Sequence, residues 1–199
     1  MSRPWTTAAI LLVVATFVAA PSRAEGEIAL FLGQRQLDDQ EWQFPRPEPD
    51  APPPLQTFAL DSQPQIGMLL SVGPEAWKVR MAIDLFVSQD DDGQFEARLY
   101  ELDGGVRKFW GVWKDRIRPY AGGGAAFIKA EVRRNLSLIS TDTDDLGAGL
   151  WLEGGAMFKV RKKFSLGLDL RYSTADVTLF GDKLDAGGAH GGLLFGWKL

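Results

Sequence analysis

The sequence holds one histidine, His190, and its setting decides what chemistry is open to the chain. A histidine beside a serine and a carboxylate is the constellation of nucleophilic catalysis, in which the hydroxyl attacks, the imidazole takes its proton and the acid orients the ring. Ser173 and Asp169 are the candidates, provided the segment carrying them runs alongside the one carrying His190. Access argues against it: the same alternating positions are crowded with charge, and reach and geometry come before residue identity. A histidine satisfied by hydrogen bonds in an interior is therefore the favoured expectation, with no catalytic residue.

Metal chemistry fares no better. Asp90, Asp91, Asp92 and Gly93 lack the spaced oxygen ligands and distal glutamate of a calcium loop, so they read as a solvated acidic loop. Together with Asp142, Asp144 and Asp145 they could still share divalent cations with phosphates outside the chain. Cysteine is absent, which removes thiolate chemistry, cysteine-rich metal sites and a lipid-modified N-terminal cysteine. Gly122 to Gly124 precede no helix and cradle no phosphate. No metal and no cofactor are expected.

The elements that must position these residues begin after an export signal. Arg3, an uncharged run from Trp5 to Ala20 and small residues up to Ala24 have the order of a cleavable signal peptide. The apolar core from Ala8 to Ala20 is too short to span a bilayer as a helix, which needs about 20 residues. Cleavage after Ala24 leaves 175 of the 199 residues, one domain over 25–199. Losing Arg3 and Arg23 takes the formal charge from −4 to −6, which argues against a nucleic-acid partner.

From Glu27 onward the pattern has period two, the mark of strands. Phe164, Leu166, Leu168, Leu170 and Tyr172 share one face, and Ser165, Gly167, Asp169, Arg171 and Ser173 the other. Trp77, Val79, Met81, Ile83, Leu85 and Val87 likewise alternate with Lys78, Arg80, Ala82, Asp84, Phe86 and Ser88. A closing segment sets Leu193, Phe195, Trp197 and Leu199 against His190, Gly192, Leu194, Gly196 and Lys198. Weaker strands at Glu27–Leu37, Pro64–Val72, Glu96–Lys108, Ile117–Val132 and Leu150–Val160 bring the total to about eight.

The connections alternate in length. Gly73–Ala76, Trp110–Arg116 and Arg161–Lys163 are short, whereas Asp38–Gln63, Gln89–Phe95, Arg133–Gly149 and Thr174–Ala186 are long. Short turns at one end and long loops at the other are expected of an all-β, closed, antiparallel up-and-down transmembrane barrel. The first loop, residues 38–63, holds Pro45, Pro47, Pro49, Pro52, Pro53 and Pro54, a density expected to stay out of a sheet ladder and to project from the cell as an extended or disordered tip.

A soluble barrel, apolar inside, is the rival. Against it, Trp77, Phe109, Trp110, Trp113, Tyr120, Phe158, Phe164, Phe195 and Trp197 cluster toward strand ends, where rings sit at membrane interfaces. Glycines at 104–105, 122–124, 154–155 and 191–192 leave room in a narrow barrel for long charged side chains. Trp77, Val79, Met81, Ile83, Leu85, Leu166, Leu168, Leu170, Phe195 and Trp197 are thus expected to face lipid.

Inward positions are predicted to carry eight cations (Lys78, Arg80, Arg107, Lys129, Arg133, Lys159, Arg171, Lys198) and six anions (Asp84, Glu101, Asp103, Glu131, Glu153, Asp169), nearly balanced and so able to plug the lumen. Arg80, Asp103 and Asp169 belong to this polar cluster. The tight turn at Arg161–Lys163 sets Glu153 opposite Arg171, and a symmetric next hairpin brings His190 beside Arg171. A swap of the Glu153 and Arg171 charges is then expected to recover part of what either loss removes.

The run Arg118, Pro119, Tyr120, Ala121, Gly122, Gly123, Gly124 entering a strand after a short turn, and the closing run Gly192, Leu193, Leu194, Phe195, Gly196, Trp197, carry a family resemblance. The chain resembles the small eight-stranded outer-membrane proteins of Gram-negative bacteria, the group that includes the membrane domain of outer-membrane protein A. That resemblance covers the mature chain and implies an outer-membrane location, a monomer among lipids and lipopolysaccharide, and handling by the barrel-insertion machinery. One departure is the C-terminus, Leu199, where such proteins usually end on an aromatic residue. Three functions follow as expectations: a structural anchor or loop-presenting surface protein with an unnamed surface ligand, a lipid A-modifying acyl hydrolase or transferase using His190, or a narrow passive pore.

Overall fold

The computed structural model describes residues 24–37, 43–45, 57–59, 62–74, 78–91, 95–114, 116–136, 139–179 and 181–199. The expected signal peptide (apart from Ala24), Trp77, Asp92 and Pro47 to Pro54 lie outside the described residues.

Every regular element among the described residues is a strand: β1 (Ala24–Gln36), β2 (Gln43–Pro45), β3 (Thr57–Ala59), β4 (Ser62–Pro74), β5 (Val79–Asp91), β6 (Phe95–Phe109), β7 (Ile117–Leu136), β8 (Ile139–Lys159), β9 (Phe164–Leu179), β10 (Asp182–Asp185) and β11 (Gly188–Lys198). Eight of them form the order β9-β11-β1-β4-β5-β6-β7-β8, and β8 pairs back onto β9 to close the barrel. All the pairings are antiparallel. Closure removes the sheet edges, so each barrel strand satisfies its backbone from both sides.

One end of the barrel holds the first and last described residues and the short turns, and the other holds the longer connections; these are called here the turn end and the loop end. The loop end differs from expectation. β7 and β8 pair from Ile117↔Phe158 up to Leu136↔Ile139, so the expected loop Arg133–Gly149 is almost wholly ladder. β9 likewise runs on to Leu179, and β10 folds back against it from Leu179↔Asp182 to Asp176↔Asp185. The first connection contains the small hairpin β2–β3, with Pro45 opposite Thr57, so proline density does not keep that segment out of every ladder. Pro45 sits at the end of its strand, where a missing N–H breaks no continuing ladder.

These extensions keep period two but reverse its sense. Along the turn-end part of β9, Ser165, Asp169, Arg171 and Ser173 are buried inside while Leu166, Leu168, Leu170 and Tyr172 are exposed outside. Past Ser173 the same strand buries Ala175, Val177 and Leu179 and exposes Asp176 and Thr178. β7 does the same: Ile128, Ala130 and Val132 point in, while Lys129, Glu131 and Arg133 point out. These three were expected in the lumen. The polar-inside rule holds only along the turn-end part of the strand, and beyond Ala126 the inward positions are apolar. With Leu37, Ala97, Leu99, Leu184 and Ala186, the inward residues make an apolar core that fills the loop end. Strands of 20 and 21 residues far exceed the roughly 9 to 11 that cross a bilayer, so β7 and β8 have length for both regimes.

Two aromatics are also placed differently from expectation. Tyr120 and Phe109 lie in the interior rather than on an outer girdle, packed ring to ring at 5.6 Å beside Met157 and Leu194. Trp151 is fully buried against Ala82 and Ala126.

The reversal predicts opposite tolerances at adjacent residues. Val177→Asp places a charge in the apolar loop-end core and should cost about 3 kcal/mol or more. Asp176→Asn only breaks an exposed pair with Lys183 and should cost at most about 1 kcal/mol. Urea unfolding of the two variants, with hydrogen exchange of β9 and β10, measures the difference; equal losses would mean the loop end is not packed as described.

Candidate functional site

The polar residues that alternate inward on the turn-end side meet in one buried network. The ladder pairs Glu153 with Arg171 and Arg171 with His190, and carries the row on to Arg35. Arg171 Nη2 donates to Glu153 Oε2 at 2.7 Å and to Asp84 Oδ2 at 2.5 Å, and Nη1 donates to Asp103. Its guanidinium is sandwiched between two rings, 4.5 Å from the Phe86 centroid and 4.6 Å from that of Trp151. Both stacking and charge pairing are strongest where water is excluded.

Arg107 joins from β6. Its Nη2 donates to Asp84 at 2.7 Å and to Glu153 Oε2 at 2.8 Å, its Nε donates to the other Glu153 oxygen, and its Nη1 donates to Ser71 at 2.7 Å. The Glu153 carboxylate needs the space beside Gly122, where an added Cβ would sit 2.3 Å from Oε1. That is the room the glycines were expected to leave. Asp169 accepts from the Tyr120 hydroxyl.

Toward the loop end, Arg35 pairs with Glu101 at 3.0 Å and donates to the carbonyls of Ala186 at 2.6 Å and Gly187 at 3.2 Å. His190 Nδ1 lies 3.0 Å from Gln65 Oε1, and Nε2 lies 3.1 Å from Ser173 Oγ. Ser173 and His190 thus come together, while Asp169, the expected carboxylate, is engaged with Tyr120 and Arg171 instead. All of these residues are buried.

Toward the turn end lies an apolar layer of Ala29, Leu69, Tyr120, Met157 and Leu194, with a cavity of only about 20 Å³. Below it, Arg118 grips both Glu27 oxygens at 2.5 and 2.7 Å, and Arg80 donates to Glu25 at 3.0 Å. Arg80 is thus in the interior but at the mouth, apart from Asp103 and Asp169.

The buried charges among the described residues are four arginines (Arg35, Arg80, Arg107, Arg171) and six acids (Glu27, Asp84, Glu101, Asp103, Glu153, Asp169). The expected surplus of cations is therefore reversed, because Lys129 and Arg133 point outward and Lys78, Lys159 and Lys198 are exposed. Arg35 and Glu27 escaped sequence reasoning, although both share the phase of Ala29 and Phe31 on β1. On the outside, Val79, Met81, Leu166, Leu168, Leu170 and Trp197 are exposed, and Ile83, Leu85 and Phe195 are half-buried.

The acidic loop-end residues do not gather as a metal cluster among the described residues. Asp144 pairs with Lys129 at 3.3 Å, and Asp145 accepts from the Thr178 backbone N–H at 2.6 Å.

Three carboxylates on one guanidinium change the expected result of the charge swap. Glu153→Arg with Arg171→Glu would set a new carboxylate against Asp84 and Asp103 and a new guanidinium against Arg107, so the double variant should recover nothing. Arg171→Ala should cost about 3 to 5 kcal/mol, as for a buried charge stripped of its partner. Lys162→Ala, exposed at a turn, should cost less than about 0.5 kcal/mol. Urea unfolding of the folded barrel ranks the three; recovery in the swap would show that Glu153 and Arg171 act as an isolated pair.

No protein-family model matches this chain, and no curated protein matches it. Solved structures do. Neisserial surface protein A is 15% identical, with 88% of this chain and 95% of that one covered and a TM-score of 0.51. Outer membrane protein OprG from Pseudomonas aeruginosa is 13% identical over 88% of this chain and 96% of its own, with a TM-score of 0.57. Ail, the attachment invasion locus protein of Yersinia pestis, is 12% identical over 89% and 99%, with a TM-score of 0.51. This chain is similar to them in fold, a closed eight-stranded barrel.

Proposed function

We propose that the chain is a non-enzymatic barrel of the bacterial outer membrane, a rigid and sealed anchor that presents its loop end to the cell's surroundings. The observation that carries this reading is the reversal of the inside and outside patterns along single strands. Over the turn-end part the exterior is apolar, with Leu168 and Leu170 at 55% and 70% exposure and Met81 at 60%. An apolar belt of that extent calls for lipid rather than water. At the loop end the exterior turns polar, and water suits it better.

The comparisons support the fold that this reading needs. Lipid around the belt, lipopolysaccharide around the loop end and delivery by the barrel-insertion machinery follow from the reading, and Phe195 and Trp197 keep the outward phase that such a belt requires. The loop-end exterior also carries a polar groove of about 280 Å³ between Arg98, Glu131 and Asp144, a place for the unnamed surface ligand.

The pore reading is disfavoured by two fillings in series, the charge network and the apolar loop-end core, in a barrel size that side chains can fill. The hydrolase reading retains the Ser173 and His190 contact, but those groups lie between the same two fillings.

Cell fractionation tests the proposal: the mature chain should be recovered with outer membranes, and its recovery in the periplasm would overturn the reading. In purified form, Met81→Arg should cost about 2 to 4 kcal/mol in lipid, as charge does on a bilayer-facing position. His190→Ala should leave the acyl pattern of lipid A unchanged, and planar bilayers should show no steady ion steps.

A further inference from the structure

At the turn end a cavity of about 210 Å³ opens at the barrel mouth, and its walls are strongly basic. Lys159 ends β8, Arg161, Lys162 and Lys163 make the turn, and Phe164 and Ser165 begin β9. The acid at its floor is already engaged: Glu27 is held by Arg118 through both oxygens and accepts from Ser165 at 3.2 Å. Lys198, whose backbone N–H donates to the Lys163 carbonyl at 2.9 Å, donates from its side chain to Glu25. By contrast Lys159, Arg161, Lys162 and Lys163 have no acidic partner among the described residues.

Nothing in the fold requires those charges. The turn is closed by backbone bonds, Val160 N–H and Arg161 N–H both donating to the Phe164 carbonyl at 3.0 Å, which any side chains would permit. Four cations within five residues repel one another at this spacing, a cost that a bound anion would turn into a gain. Lys159, Ser165 and Lys198 have the inward phase, so the cavity opens on the lumenal side of the rim that Arg161–Lys163 form; across that rim the barrel exterior is aromatic and apolar, with the Phe164 and Trp197 rings packed at 5.4 Å and Phe158, Val160 and Leu166 exposed. A cationic pocket on the rim of an apolar belt matches both halves of an amphiphile with an anionic head.

We propose that the rim of this pocket binds the phosphate headgroup of an anionic phospholipid in the leaflet at the turn end, with Arg161, Lys162 and Lys163 on the phosphate and the acyl chains along Phe158 and Leu166. The proposal goes beyond the anchor reading and rests on it in one respect, that the belt is embedded in a bilayer. A soluble phosphate would use the cations and leave the apolar half without a role.

The test uses the folded chain in phosphatidylcholine nanodiscs with and without phosphatidylglycerol, and native mass spectrometry of the lipid retained on release. Arg161→Gln with Lys163→Gln is compared with Lys114→Gln with Arg116→Gln, which removes the same charge from another turn at the same end. Diffuse attraction to the surface is lost equally in both pairs, whereas only the pocket pair also loses direct charge-assisted bonds to the phosphate, so the pocket pair should lose at least about tenfold more phosphatidylglycerol retention than the control pair. Equal losses in both pairs would overturn the pocket in favour of diffuse attraction. Displacement of the lipid by millimolar inorganic phosphate would overturn the lipid assignment. Insertion into pure phosphatidylcholine discs is scored separately: a chain that does not insert refutes the embedded belt, and the proposal falls with it, whereas a chain that inserts without selective retention refutes the pocket alone.

Discussion

A single guanidinium, that of Arg171, ties together four strands. It stands on β9 and meets carboxylates from β5, β6 and β8, while Phe86 and Trp151 close its two faces. Such a group cannot be exchanged for a lysine, which has neither the planar fork nor the faces to stack. Nor does it act as a surface ion pair, which contributes little; here the alternative to pairing is a charge without water. The eight-stranded closure and this network depend on each other. Closure makes the interior too narrow for bulk water, so the charged side chains entering it depend on partners across the lumen, and those crossing bonds fix how the strands face one another.

The same constraint explains why the pattern reverses. A barrel in lipid has to hide its polar groups inside, and one in water has to hide its apolar groups inside. β7, β8 and β9 do both in sequence without losing a residue of phase, because strand alternation is indifferent to which face is polar. The change falls near Ser173 on β9 and between Ala126 and Ile128 on β7, where small inward residues give way to branched apolar ones. The loop end is therefore held by hydrophobic packing over its own core, independent of lipid, and the turn-end part by buried polar bonds.

Strand number, closure and the Glu153, Arg171, His190 row followed from the sequence, for a definite reason. Only four residues, Val160 to Lys163, separate β8 from β9, and so short a connection constrains the register. The eight alternating segments were equally plain because seven of them carry charges, mostly on one face, and the eighth, β4, alternates Gln63, Gln65 and Ser71 with apolar residues. Legibility failed where a different rule took over. Lys129, Glu131 and Arg133 looked lumenal because polar-inside was applied beyond the belt, and Tyr120 and Phe109 looked like girdle residues because ring position along a strand says nothing about its face. Those two rings were one phase count from being placed correctly, since Tyr120 shares the phase of Gly122 and Phe109 that of Arg107. Contacts across the lumen, such as Arg107 with Ser71, join residues far apart in the chain and leave no mark in local pattern.

His190 shows how a catalytic-looking geometry arises from satisfaction alone. Its Nδ1 faces the amide oxygen of Gln65, an acceptor, so the proton sits on Nδ1 and Nε2 is left to accept from the Ser173 hydroxyl. That is the polarity of a serine, histidine and orienting-group relay. The orienting group, however, is a neutral amide; the nearest carboxylate, Glu101 at 3.7 Å, stands on the Nε2 side with the serine and is paired with Arg35. The ring also packs edge-on against Phe86 at 6.0 Å, between Arg171 with its carboxylates on one side and the apolar core of Leu99, Ile128 and Val177 on the other. A buried imidazole has two nitrogens to satisfy, and a serine and a glutamine on the neighbouring strands satisfy both at ordinary hydrogen-bond length. The arrangement needs no substrate to account for it, and it places the ring as one more crossing bond in a lumen built from them.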